Sequence, residues 1–236
     1  RQIGDTWATG VDLVYAEGSD LQSNVDANRT LTYDPYGRPL YLPDRPRDDI
    51  DNLFIRYSFG ESEYTAATLN IRRRYTGRYQ IQAHYTYSKD EDTDSNERSA
   101  TSVTVSDPTN PRYDWGYSDR DVTHRLVFSG MVDLGWGFRL SGLGEYRSGR
   151  PWNPFDGDAE FSHCGFFQLG FGGCNPPLPV TNGKLGSRNS KRSESATQLD
   201  ARLSWLYEFA DRYQVELFAE MFNIFDDNSY AVTGDQ

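Results

Sequence analysis

At 236 residues and a formal charge of −11, the chain is a poor partner for nucleic acid, which is bound through a basic face. Hydrophobic residues make up 36%, mean hydropathy is negative, and no run approaches the roughly 18 apolar residues of a membrane-crossing helix. Those figures exclude a helical membrane protein but leave a β-barrel open, because half of each barrel strand faces a wet interior.

Aromatic residues reach 14%, with 16 Tyr, 13 Phe and 5 Trp, which fits the interfacial girdles of outer-membrane barrels better than a soluble core. In chain order, Thr6 to Tyr15 is the first predicted strand, with Trp7, Thr9, Val11, Leu13 and Tyr15 on one face. A long polar connection runs from Ala16 to about Glu63. Within it, Leu53, Ile55, Tyr57 and Phe59 alternate with Phe54, Arg56 and Ser58, predicting a short separate strand in the loop. Tyr64 to Ser88 is a hairpin around Thr76-Gly77-Arg78. Its apolar positions are Ala67, Leu69, Ile71 and Tyr75 on one arm and Tyr79, Ile81, Ala83, Tyr85 and Tyr87 on the other. Placing Tyr75 opposite Tyr79 sets Ile71 against Ala83 and Leu69 against Tyr85, so both apolar sets share a face.

A second connection, Lys89 to Arg120, opens with KDEDTDSNERS. Asp121 to Leu134 and Phe138 to Ser148 form the next hairpin around Gly135-Trp136-Gly137, with Leu134 facing Phe138. A third connection, Gly149 to Ser195, is rich in Gly, Pro and Asn. The last hairpin joins Ala196–Phe209 to Tyr213–Asn223, with Phe209 facing Tyr213.

Long and short connections therefore alternate, and all 11 prolines fall in the three long ones. Proline is disfavoured inside a ladder, so this partition supports the strands. Short turns at one end and long loops at the other is the layout of an outer-membrane barrel, whereas a soluble β-sandwich has no reason to sort loop length by side. The predicted fold is all-β, an antiparallel transmembrane barrel segment of about seven spanning strands with long extracellular loops. Single-chain barrels close on an even count, so the sequence is expected to be a piece of a larger barrel, any export signal lying upstream or already removed.

Four stretches carry a resemblance. YTAATLNIRRRYTGRYQIQAHYTYSKDEDTD resembles a hairpin with a basic strand end and a YTYSK return. SDRDVTHRLVFSGMVDL is similar to a D-x-x-HR strand, GLGEYRSGRPW to an SGxPW/F strand end, and LDARLSWLYEF with VELFAEMFNIFDDNSY to late strands ending in FNxFN. In order, they resemble the C-terminal barrel portion of TonB-dependent outer-membrane receptors of the Oar-like subgroup, over Tyr64 to Tyr230. The resemblance implies a barrel of roughly 22 strands around an N-terminal plug. It implies residues 1–236 as a partial barrel domain lacking plug and final strand, and energy-dependent uptake of a scarce siderophore, oligosaccharide or peptide across a Gram-negative outer membrane. The implied partners are outer-membrane lipid and lipopolysaccharide, the plug, the TonB complex and the substrate, with no cofactor and no enzymatic activity. A non-transporting barrel that displays adhesion loops is the alternative.

Cys164 and Cys174, with nine residues between them in the third loop, are read as a local disulfide of an oxidising compartment, two free thiols being the plainer alternative. Trp152, Phe155, Phe166 and Phe167 are candidate stacking platforms for sugar or peptide, against simple loop packing. Gln80, Gln82, His84, Arg202, Glu216 and Glu220 are expected on the lumen face. Asp90, Asp92, Asp94 and Glu97 have the alternate spacing of a calcium loop but lack its turn glycine, so the expectation is a solvated acidic loop and no metal site. Asp119, Asp121, His124 and Arg125 are read as a salt-bridged rim; with His84 and His163 distant, no hydrolase triad is suggested. Tyr64, Tyr85, Tyr87, Tyr146 and Trp152 are expected at the outer interface, and Trp136, Trp205, Tyr207, Phe209 and Tyr213 at the inner one.

Overall fold

The computed structural model describes residues 2–42, 44–95, 105–154, 178–209 and 212–227. Seven long strands dominate: β1 Trp7–Asp26, β2 Phe54–Thr76, β3 Tyr79–Asp92, β4 His124–Gly135, β5 Phe138–Arg147, β6 Ala196–Phe209 and β7 Tyr213–Met221. Each pairs antiparallel with its successor in one open meander. Gln2–Ile3 folds back on the foot of β1, and Gly116–Tyr117 pairs with the top of β3. An open sheet of this kind is a barrel segment, since unpaired strand edges do not face hydrocarbon.

The ladders keep the two faces distinct across the sheet. One row joins Thr9, Ile71, Ala83, Phe128, Gly144 and Leu199; the row beside it joins Gly10, Asn70, His84, Val127, Glu145 and Gln198. Nothing among the described residues covers the first face: Leu13 is 78% exposed and Leu217 59%. The buried apolar side chains among the described residues are Val25, Leu40, Tyr41, Val105 and Leu178, all above the spanning region. The wall thus has no apolar core of its own, and its greasy face is stable only where hydrocarbon replaces water.

The stagger of the turns gives the tilt. The row from Trp7 crosses Arg73, Ile81, Gly130, Gly142 and Ala201 to Met221. Trp7 stands just above the turn at residues 4–6, whereas Met221 is ten residues from the middle of the β6–β7 turn. With the short turns in one plane, a stagger of about eight residues over six strand steps, at ~3.3 Å per residue and ~4.8 Å per strand, tilts the strands by roughly 40°. That is the inclination of membrane barrels.

Aromatic rings mark both edges of the apolar band. Phe138, Trp205, Tyr207, Phe209 and Tyr213 run as a stack toward the short turns, with centroids 5.4–6.2 Å apart, and Trp205 Nε1 donates to the carbonyl of the protruding Trp136 at 3.1 Å. At the other edge Tyr85, Tyr87 and Tyr146 share the apolar face. Above them Glu17, Glu63 and Glu91 stand side by side, so the wall is already in water there.

Three expectations change. β1 and β2 do not stop at Tyr15 and Tyr64; they continue as a paired ribbon above the membrane, and the predicted separate strand at Leu53–Phe59 is largely the upper part of β2. The pairing slips at Leu21 and slips back, with Asp20 in the left-handed region, and Ser23–Asp26 are buried, so the β1 pattern fails there although the ladder persists. At two turns the pairing shifts by one residue: Thr76 instead of Tyr75 faces Tyr79, and Gly135 instead of Leu134 faces Phe138. The left-handed Gly77, Gly135 and Trp136 close those turns, and Tyr75 now reaches Asp133 on the polar face through its hydroxyl. Tyr64 shares the polar face with Ala66 and Asn70, and Trp152 pairs with Lys191 in the third loop, so neither belongs to the outer girdle.

Candidate functional site

The polar face of the wall is the first candidate zone. Gln80, Gln82, His84, Arg202, Glu216 and Glu220 all lie on it by register. A hydrogen-bonded chain crosses three strands: His84 Nδ1 lies 2.5 Å from Asn70 Oδ1, Asn70 Nδ2 donates to Asp12, and Gln82 Nε2 lies 2.7 Å from His84 Nε2. This pattern fits a neutral imidazole that donates from Nδ1 and accepts at Nε2. Nearer the turns, Arg202 bridges Glu216 at 3.1 Å and Glu220 at 3.4 Å, its guanidinium 4.0 Å from the Phe218 ring centroid. Arg139 pairs with Asp133 at 2.6 Å, and Arg125 with Glu145 at 3.0 Å. Ion pairs laced across neighbouring strands suit a wet wall, because each charge keeps both a partner and water.

The second zone is the loop junction above the sheet. Asp92 is fully buried: Arg188, from the third loop, donates through Nη2 to its carboxylate and, at 2.6 Å, to its carbonyl. Arg188 Nε donates to the Asp114 carbonyl at 2.7 Å, and Ser95 Oγ donates to the Asp92 carboxylate. Beside this pair, Asp121, 1% exposed, accepts from Arg192 at 2.5 Å, from Thr123 Oγ1 at 3.0 Å and from the Asp90 N–H at 2.8 Å. Asn189 Nδ2 donates to the Tyr117 carbonyl and to Asp119. Residues 188–192 are thereby clasped onto 114–121.

The acidic stretch is accordingly not a solvated loop, since Asp92 and Asp94 are buried. Local charge density carries no hint of this, because the arginine that neutralises Asp92 lies 96 residues further on. The rim reading of Asp121 and Arg125 matches the ion pairs found, while His124 packs between Tyr85 and Tyr87, with its Nδ1 2.8 Å from the Tyr85 hydroxyl. Glu97, Phe155, His163, Cys164, Phe166, Phe167 and Cys174 lie outside the described residues, so of the loop platforms only Trp152 is placed. It is half-buried in the short ribbon Pro151–Trp152 with Lys191–Arg192.

The first loop is tied in as well. The hairpin Leu31–Tyr33 with Pro39–Tyr41 is held by Asp34, which accepts from Arg38 Nε at 2.5 Å and from the N–H groups of Tyr36 and Arg38. Burial alone would push the Asp34 carboxyl up, but these bonds outweigh it and hold the carboxyl below the usual aspartate range. The buried Tyr41 hydroxyl donates to the Ser106 carbonyl, and burial, reinforced by Asp107 and Asp114, raises it well above the ordinary phenol value. Arg38 Nη1 reaches the Leu178 carbonyl at 3.3 Å, joining the first loop to the third.

Comparison with known proteins agrees with this geometry. The family profile described as "Outer membrane beta barrel domain" matches residues 1–167. No curated protein matches the chain in sequence. Among solved structures, the outer membrane transporter YddB from Escherichia coli is similar, with a TM-score of 0.54 at 12% identity, over 96% of this chain and 27% of that one. The chain thus spans about a quarter of the transporter's length, and the likeness is one of fold. A tilted antiparallel wall with one greasy and one ion-paired face, short turns below and clasped loops above, belongs in the outer membrane, and the chain is a member of the outer membrane beta barrel domain family.

Proposed function

We propose that the chain forms wall and external loops of a TonB-dependent receptor of the Oar-like kind, which takes up a scarce solute by energy-dependent transport. The observation that carries this reading is the polar face: ion pairs and the Asp12–Asn70–His84–Gln82 chain line the side of the wall opposite the apolar one, in a sheet whose first and last strands do not pair. A wide barrel needs such a lining to pass or hold a hydrated solute, and the shared fold with part of an outer-membrane transporter supports it. The implied partners are the receptor's plug, the TonB complex, lipopolysaccharide and a siderophore, oligosaccharide or peptide; the loops select, and no chemistry is performed on the solute.

The test compares solute depletion from the medium by cells carrying the full-length gene, cells deleted for it, and cells with an inactivated TonB complex. A solute taken up only when both gene and complex are intact is the expected result. Uptake that persists without TonB, or no difference on deletion, would sink the reading in favour of a barrel that only displays its loops.

A further inference from the structure

We propose that Arg125 and Arg147, with Thr86 beside them, form an anion-binding step on the lumenal wall just below the loop junction. Arg125 of β4 and Arg147 of β5 are direct cross-strand partners on the polar face, and the same row continues through Thr86 and Thr68. Like charges placed opposite each other repel, and strand pairing normally selects against them. Here only half of the repulsion is relieved. Arg125 gives its Nε to Glu145, and its side chain is still 57% exposed. Arg147 is exposed, and its side chain has no ion-pair or hydrogen-bond partner among the described residues.

Thr86 Oγ1 lies 2.9 Å from Thr68 Oγ1, so this hydroxyl pair, sharing one hydrogen bond, keeps a further donor for a ligand. The row therefore presents two guanidinium groups and a hydroxyl toward the interior, with Glu145 on the adjacent row as the carboxylate beside them; the row's own carboxylate, Asp12, lies three strands from Arg125 and accepts from Asn70. Guanidinium pairs bind planar or tetrahedral oxyanions through two parallel N–H bonds each, and a low-dielectric wall strengthens them relative to open water. The ligand class is a solute bearing a carboxylate or phosphate group. The route by which it reaches the row rests on the uptake reading above; the site itself does not.

The experiment is calorimetric titration of inorganic pyrophosphate into the full-length protein in detergent at low ionic strength. Saturable binding that weakens as salt rises is expected. Arg147→Gln should weaken it about tenfold, as the loss of one charge-assisted contact of about 1.4 kcal/mol would. Glu145→Gln should tighten it severalfold by releasing Arg125, a gain that a merely structural role would not produce. Arg72→Gln, which removes a polar-face arginine facing Ala8 and Gln82, should leave binding within about twofold. No saturable binding to the parent protein, or equal binding by Arg147→Gln, overturns the site. Binding that follows this pattern in a protein whose uptake ignores TonB upholds the site and discards only the transport reading.

Discussion

Replacing Arg188 with methionine removes the cation on which the loop junction closes. Its guanidinium is the only one among the described residues bonded directly to the Asp92 carboxylate, Arg120 standing 4.0 Å away. The Asp92 side chain is 0% exposed and that of Arg188 10%, so neither charge finds water if the other is lost. Breaking one side of a buried pair costs about 3–5 kcal/mol, whereas replacing both sides with neutral groups of similar size is often near neutral. Among the described residues the Ser95 hydroxyl, 3.0–3.1 Å from the carboxylate, and the exposed Arg120 guanidinium at 4.0 Å remain to soften the loss. Ser118 and Asp121 are suitable reporters, their amides bonded to the Asp90 and Ser118 carbonyls at 2.9 Å within the clasped segment. Hydrogen exchange of the micelle-embedded protein should then show these amides exchanging about a hundred to a few thousand times faster in Arg188→Met. In Asp92→Asn/Arg188→Met, protection should return to within about 1 kcal/mol of the parent. A single variant whose protection changes by less than about threefold, or a double variant that loses the sum of both single effects, would refute the buried-pair account.

Three further outcomes follow from the same geometry. Ala83→Arg places a charge in the middle of the lipid face and should cost about 2–4 kcal/mol in urea-dependent folding into vesicles, while Gln82→Arg, one residue away on the polar face, should cost less than about 1 kcal/mol; equal costs would mean the faces are misassigned. Asp34 has a carboxyl held below its ordinary value, so its contribution is complete above pH of about 4 and is lost as pH falls toward the depressed folded value; Asp34→Asn should remove that acid-dependent loosening of the 31–41 hairpin, followed by amide NMR. A Cβ at Gly149 would stand 1.8 Å from the Ser193 carbonyl oxygen, so Gly149→Ala must part the backbone and open the Pro151–Trp152 ribbon, at a cost of about 1–3 kcal/mol seen as faster proteolysis of the third loop.

The wall was legible in the sequence because lipid acts on each strand separately. Every second residue of β2, β3 and β6 meets hydrocarbon whatever its neighbours do, so Leu69, Tyr85 and Leu203 declared their face, and the match of faces across the turn placed Phe209 opposite Tyr213 before any pairing was seen. The loop junction was not legible, for the opposite reason. The state of Asp92 depends on Arg188, and that of Asp121 on Arg192, each some seventy or more residues away, and a carboxylate in a polar run looks the same in sequence whether water or a guanidinium satisfies it. The upper part of β2 read only as a separate strand, because the alternation of Leu53 to Phe59 does not show that it runs on through Gly60 into the spanning segment, and its partner in β1 lies beyond the slip at Leu21 in the buried, largely polar run Ser23–Asp26. By itself the sequence determined the strands, their faces and the side on which the loops lie, since a uniform solvent imposes a local pattern. Only the tertiary structure decided which charges are buried together and which, like Arg147, are left facing the lumen, because that is a matter of distance in space.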